Sequence, residues 1–286
     1  MKNAYKTSGA IFDQVSKMHQ PGLRAELDSL QGEIVVVKGD HDRVQELLDT
    51  IKVPYALIES NELATYNGGR VFFVNCRRYE NVSAPMKEAV KERVSSGGRL
   101  ITSDWSLSLT ERVFPGKLHK TASTTDDVVE VQCETDIARK LIGLNYAQCS
   151  PSWWLEGSSD VYSIGKNVTP LLTSREMEAK YGQPYVAVGF TEGRGEALHF
   201  ISHFVLQRTK QKGKEKSAGL DDFLQKVQVE RTSEMDDATL AELEAAYSSL
   251  NTVAYLCLRA PLLATDMKSM LATPSQIAGR KSARLL

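Results

Sequence analysis

Four apolar runs set the problem: EIVVVKGD (33–40), VPYALIES (53–60), RVFFVNC (70–76) and RLITSD (99–104). None carries a regular polar alternation. A strand without a polar face is buried on both sides, as in a parallel sheet covered by helices. The segments between them agree. DRVQELLDTIK carries Val44, Leu47, Leu48 and Ile51 at helical spacing, with Asp40 or Asp42 placed to cap it. PMKEAVKERVSSGG has Pro85 at a first helical position and closes on Gly97-Gly98. SLSLTERVF reads as a short helix stopped by Pro115-Gly116. This alternation predicts an α/β fold, a flavodoxin-like doubly wound, mostly parallel sheet.

Beyond residue 115 the pattern changes. TTDDVVEVQCE alternates like an exposed strand, and TDIARKLIGL reads as a short helix. VTPLLTSREM and YVAVGFTEGRGEALHFISHF (185–204) supply three more strands, the last two joined as a late β-hairpin by a glycine turn. Trp153 and Trp154 are adjacent, so on a strand they point to opposite faces and one belongs to the core. Four segments follow: an N-terminal helical lead-in (1–31), the α/β domain (32–207), a basic linker or loop (208–219), and a C-terminal helical extension with a flexible tail (220–286). In the extension Ser233 is placed to cap a helix with Leu240, Leu243, Tyr247 and Leu250 as an apolar stripe.

Composition excludes several classes. Lys and Arg number 35 against 36 Asp and Glu, a balance that predicts no nucleic-acid or membrane-surface partner. The four cysteines are far apart, without the paired spacing of a zinc motif, and read as free thiols of a cytoplasmic protein. No apolar stretch approaches the ~18 residues of a membrane helix, and no signal peptide is expected. No cofactor is implied.

Three motifs then fall in order. RVFFVNC runs into a polar loop, SSGGRLITSDW runs through Gly-Gly into a sharp polar break, and GRGEALHFISHF gives a glycine turn, a strand and a histidine. Over 32–207 this order resembles the class I glutamine amidotransferase-like superfamily, in particular its ThuA-like branches. The resemblance implies an elbow after the fourth strand at Ser103, Asp104 and Trp105, with His203 at the family's histidine position. A working amidotransferase has a Cys on that elbow and a Glu two residues beyond the His. Here Asp104 and Val205 stand there. ThuA-like relatives place a His at the elbow, and Asp104 replaces that as well.

The candidate catalytic residues are therefore Asp104, His203 and Ser103. An Asp–His pair at the strand ends can act as a general base or as part of a metal site. Asp40, His41 and Glu156 are candidates by position for a third ligand, though no metal is assigned. In the plainer reading, Asp104 caps the next helix through the Leu107 N–H and His203 packs locally. Cys76 has Arg77 and Arg78 beside it, neighbours that favour thiolate; the alternative is a thiol facing the core or a loop. Trp105 completes the ligand-binding candidates with Asp40, His41, Cys76 and Glu156. The expected function is a non-catalytic binding or scaffold component of an intracellular, bacterial-type complex. Its protein partner is expected on helices 220–258 and the basic tail. The alternatives are a hydrolase or sugar-modifying enzyme with an atypical Asp/His centre, or a small-ligand sensor using the strand-end cleft.

Overall fold

The computed structural model describes residues 1–143, 151–206 and 219–263. Most of the basic run 208–219, the tail beyond 263 and Cys149 lie outside the described residues. The chain opens with α1 (Lys2–His19) and α2 (Pro21–Asp28), then enters the first apolar run as β1 (Ile34–Val37). α3 (Gln45–Thr50) returns it to β2 (Ala56–Ile58), and β3 (Val71–Val74) follows. α4 (Ala84–Ser95) leads through Gly97-Gly98 to β4 (Arg99–Ser103), and α5 (Leu107–Val113) lies beyond the polar break. A β-rich insert comes next: β5 (Leu118–Ser123), β6 (Asp127–Glu130), β7 (Gln132–Cys133), α6 (Asp136–Ile142), β8 (Ser152–Leu155) and β9 (Asp160–Ile164). Then come β10 (Thr169–Thr173), α7 (Arg175–Tyr181), β11 (Tyr185–Glu192) and β12 (Gly195–Phe200), followed by α8 (Leu220–Val227) and α9 (Leu240–Cys257).

Eight strands form one sheet in the order β2-β1-β3-β4-β12-β11-β10-β7. The first five run parallel, and β11, β10 and β7 are added antiparallel. This is the doubly wound α/β sheet with a late hairpin that the apolar runs predict. β1, β3, β4 and β12 are buried along their whole length. Their period of two divides the core. Ile34, Val36, Phe73, Ile101 and Leu198 cluster with side chains of α1, α3 and α9. Val35, Val37, Phe72, Val74 and Leu100 cluster with those of α4 and α5.

Two glycines let the hairpin pass the end of α4. Gly97 has φ +112, a conformation that side chains disfavour. A Cβ on Gly195 would stand 2.0 Å from the Val94 carbonyl oxygen and 2.2 Å from that of Gly98.

The flanking helices are built into this body. α9 packs on α1, α3, α6 and α8, burying Leu243, Tyr247 and Leu250. The stripe expected to serve a partner is thus covered by the chain's own helices. Arg99, buried at the start of β4, pairs with Glu196 at 3.0 Å and donates to the carbonyls of Leu256 in the last turn of α9 and of Leu258 and Ala260 beyond it. The cap of α9 is Thr239, not Ser233. Its hydroxyl accepts the Glu242 N–H while Glu242 reaches back to the Thr239 N–H, a reciprocal box that Ser233 lies too far upstream to make. Among the described residues no helix is long and apolar enough to cross a membrane.

Candidate functional site

The site lies at the carboxyl ends of the parallel strands, where chains of this class hold ligands. The loops after β1 and β3 are joined first. The N–H groups of Asp40 and His41 donate to the Cys76 carbonyl at 2.8 and 3.3 Å, and Gly39 approaches that carbonyl too closely for any Cβ. The Ser106 hydroxyl donates to the Asn75 carbonyl at 2.8 Å, fastening the elbow after β4 to the same loop.

Asp42 fixes the frame. Its buried carboxylate accepts from the Ser103 hydroxyl at 2.8 Å and from the N–H groups of Arg43, Phe204 and Val205 at 2.8, 3.0 and 3.2 Å. It therefore caps the segment after β12 and not α3, whose Val44 N–H is taken by the Asn75 side chain at 3.0 Å. Ser103 is buried with its hydroxyl committed to Asp42, which places it in the support of the site. α1 contributes too: Tyr5 Oη donates to the Phe204 carbonyl and accepts the Leu206 N–H.

On this frame Cys76, Asp104 and His203 converge, 0%, 3% and 8% exposed. Asp104 sits on the elbow with φ +48, in the left-handed region that a non-glycine residue enters at a cost. Its Oδ2 lies 3.1 Å from His203 Nε2 and accepts from Cys76 Sγ at 3.4 Å. The His203 contact is close enough for an ion pair but misaligned for a hydrogen bond, and Asp104 Oδ1 is buried with no partner. Asp104 thus makes no cap on the helix that follows. The left-handed elbow is joined to a carboxylate turned toward Cys76 and His203. Glu156, on the turn between β8 and β9, stands 3.8 Å from His203 Nδ1. Val205 stands two residues beyond His203, and the acid on the Nδ1 side of the ring comes from another loop.

Charge follows from this packing. Burial opposes the imidazolium of His203, but Asp104, Asp42 and Glu156 outweigh it and hold the pKa above the ordinary value. Cys76 moves against the expectation of a thiolate. Burial pushes its thiol well up, and the Asp104 charge adds to the shift. Arg77 and Arg78 do not outweigh this: both are paired with acids elsewhere, although Arg78 still feels the charges of Asp104 and Cys76. Arg77 reaches Ser60 at 2.8 Å and Asp40 at 3.9 Å. Arg78 makes a two-bond pair with Asp160 at 2.9 and 3.1 Å.

The other candidates form the rim. Trp105 donates to the Ser158 carbonyl at 2.7 Å, has Arg78 over its ring at 4.6 Å, and meets the edge of His41 at 5.0 Å. Asp40 and His41 are exposed and stand outside the cluster, so the third ligand-type group beside Asp104 and His203 is Cys76. A groove of about 1070 Å³ between α1 and α3 includes Val205 and Leu206 in its lining but neither Asp104 nor His203. Sequence reasoning missed His199, fully buried with Nδ1 2.9 Å from Thr102 Oγ1, whose pKa burial pushes down to about 3. Its place between Leu198 and Phe200 was the only signal. Trp153 is the core tryptophan, donating to the Ser202 hydroxyl at 3.1 Å.

No family model and no curated protein matches the chain. Solved structures similar to it include a glutamine amidotransferase from Methylobacillus flagellatus, 10% identical with a TM-score of 0.47, covering 80% of this chain and 93% of that one. A ThuA-like protein from Bacteroides uniformis is 9% identical with a TM-score of 0.44, covering 60% of this chain and 82% of that one. A cold-adapted β-galactosidase from Rahnella is 14% identical with a TM-score of 0.45. That match covers 60% of this chain and 29% of the enzyme, so the chain spans under a third of the galactosidase's length. At these identities the similarity is one of fold alone.

Proposed function

We propose that this chain is an amidotransferase-like domain that works by binding and does not hydrolyse glutamine. One observation carries the reading: the elbow after β4 presents the Asp104 carboxylate, closed in by Cys76 and His203, where attack on an amide needs an exposed thiolate. The nearest thiol is Cys76, at the end of the neighbouring strand, and burial keeps it protonated at neutral pH. The domain then acts as a component of a cytoplasmic, bacterial-type assembly. Because the α9 stripe is spent internally, the partner is assigned to the basic tail beyond residue 263.

The test treats the full chain with glutamine, with a glutamine-mimicking electrophile and with iodoacetamide near neutral pH. No glutamate release and no modification of Cys76 are expected. Labelling of Cys76, with glutamate release lost in Cys76→Ala, overturns the reading. The assembly role is tested by purification from the native host with and without residues 264–286. A stoichiometric partner lost with the tail supports it, and a monomer throughout counts against it.

A second reading, a hydrolase or sugar-modifying enzyme, is favoured by the 3.1 Å approach of Asp104 to His203, since a carboxylate–imidazole pair can serve as a general base. Its mark would be turnover of an ester or glycoside that falls at least about 100-fold in Asp104→Asn. A strand-end sensor would bind the same compounds without consuming them.

A further inference from the structure

We propose that Cys76, Asp104 and His203 form a binding site for a divalent transition-metal ion of the zinc type. This goes beyond the binding-domain reading and does not depend on it. An ion can be held here whether or not any substrate is turned over.

Three observations converge. The first is the donor set. A thiol, an imidazole and a carboxylate are the three side-chain ligands zinc uses, and one atom of each lies within 4.8 Å of the others. The second is spacing. Bonds of about 2.0–2.3 Å around a tetrahedral centre leave ligand atoms about 3.3–3.6 Å apart. The contacts here are 3.4 Å from Cys76 Sγ to Asp104 Oδ2 and 3.1 Å from Asp104 Oδ2 to His203 Nε2, both near that spacing, and the third pair, Cys76 and His203, lies within 4.8 Å and closes on an ion by side-chain rotation. The third is unmet polarity. His203 Nε2 and Asp104 Oδ1 are buried in this cluster with no hydrogen-bond partner, and buried polar atoms rarely go without one.

The surroundings orient the ligands. Glu156 stands on the Nδ1 side of His203 at 3.8 Å, the side on which a carboxylate draws the ring proton and leaves the Nε2 lone pair for the ion. The three ligands come from the ends of β3, β4 and β12, whose positions are set by the sheet and by the Asp42 bonds. Charge also closes. The Cys76 S–H bond breaks and its proton leaves to solvent, as does the Nε2 proton of any His203 held as imidazolium, and the freed sulfur and nitrogen lone pairs form the bonds to the ion. One thiolate and one carboxylate then balance the two positive charges. A fourth position remains for water or a small anion.

The test uses the full chain, stripped with a chelator, then titrated separately with zinc and with cobalt. One ion per chain is expected, with between one and two protons released per ion, the thiol's and that of the imidazolium fraction of His203, as read by calorimetry in buffers of different ionisation enthalpy. The cobalt complex is expected to show thiolate-to-metal charge-transfer absorption. Cys76→Ser should abolish that absorption. Cys76→Ser and His203→Gln should each weaken zinc binding by more than about 100-fold, and Glu156→Gln by about 10- to 100-fold. Cys133→Ser and Cys257→Ser should leave both readouts unchanged. Absence of one-to-one binding by the unaltered chain overturns the proposal, as does absorption that survives in Cys76→Ser. Should Cys76→Ser fail to fold, zinc-dependent thermal stabilisation decides. A rise in melting temperature for the unaltered chain that is lost in His203→Gln supports the site, and an equal or absent rise in both sinks it.

Discussion

Asp42 and Phe204 are 162 residues apart in the chain, yet the Asp42 carboxylate accepts the Phe204 N–H at 3.0 Å. The same carboxylate takes the Val205 N–H and the Ser103 hydroxyl. One buried side chain after β1 thereby fixes both the elbow that carries Asp104 and the segment that carries His203. The meeting of Asp104 and His203 depends on a residue that is not itself in the cluster.

Asp42→Ala should therefore be costly. It leaves two buried N–H groups and a hydroxyl without their acceptor, and charged hydrogen bonds contribute about 1.5–3 kcal/mol each. The expected loss is about 3–5 kcal/mol in urea denaturation. Asp42→Asn keeps the shape and should lose less. A loss below about 1 kcal/mol for Asp42→Ala would remove Asp42 from the frame of the site.

The two histidines should titrate in opposite senses. The folded pKa of His203 lies above its unfolded value of about 6.5. Its contribution is complete below about pH 6.5 and is lost as pH rises through the folded pKa. The pKa of His199 is pushed down to about 3 by burial. Its neutral form therefore supports the fold fully above about pH 6.5, and that support is lost as pH falls toward 3. In metal-free protein, NMR titration should show His203 with a midpoint above about 6.5 and His199 unchanged between pH 5 and 8. A His203 midpoint below that value contradicts the charge balance described for the cluster.

Arg99→Ala should loosen the join between α9 and the sheet. It strands Glu196 in a buried position and frees the carbonyls of Leu256, Leu258 and Ala260. Breaking a buried pair from one side costs about 3–5 kcal/mol. Hydrogen exchange should quicken at Leu263, whose N–H donates to Glu196 at 2.6 Å. Unchanged exchange there would mean that α9 is held by apolar packing alone.

Two candidate caps can be separated directly. Thr239→Ala should cost about 1 kcal/mol, because it opens the box with Glu242. Ser233→Ala should stay within about 0.5 kcal/mol. Equal effects in thermal melts would return the start of the helix to the earlier position.

Much of this was legible in the residues. The Thr239-x-x-Glu242 spacing is itself the sign of a capping box. Ser233 competes with it in the sequence because it stands before an acidic run that also suits a helix start. Asp40 and Asp42 both suit the cap of the helix beside them, since proximity in sequence is the only guide when loops are undetermined, but Asp42 turns elsewhere. Its true partners are the backbone N–H donors of Phe204 and Val205, and backbone groups leave no trace in a sequence. Arg77 and Arg78 misled for a related reason. Adjacency to Cys76 does not outweigh the burial of the thiol when both side chains are paired with acids elsewhere.

The sequence by itself determined the sheet. Apolar runs without alternation must be covered on both faces, the helical stretches between them do the covering, and Gly98 and Gly195 admit a hairpin where no side chain fits, with Gly97 taking the positive φ beside them. It also marked the elbow at Asp104 and the histidine at 203. Only the tertiary structure decided that Cys76 joins them, that Glu156 stands behind His203, and that Asp40 and His41 remain outside. Those residues come from separate strand ends and loops. Their meeting depends on distances of a few ångströms set by packing across the sheet, which local pattern does not encode.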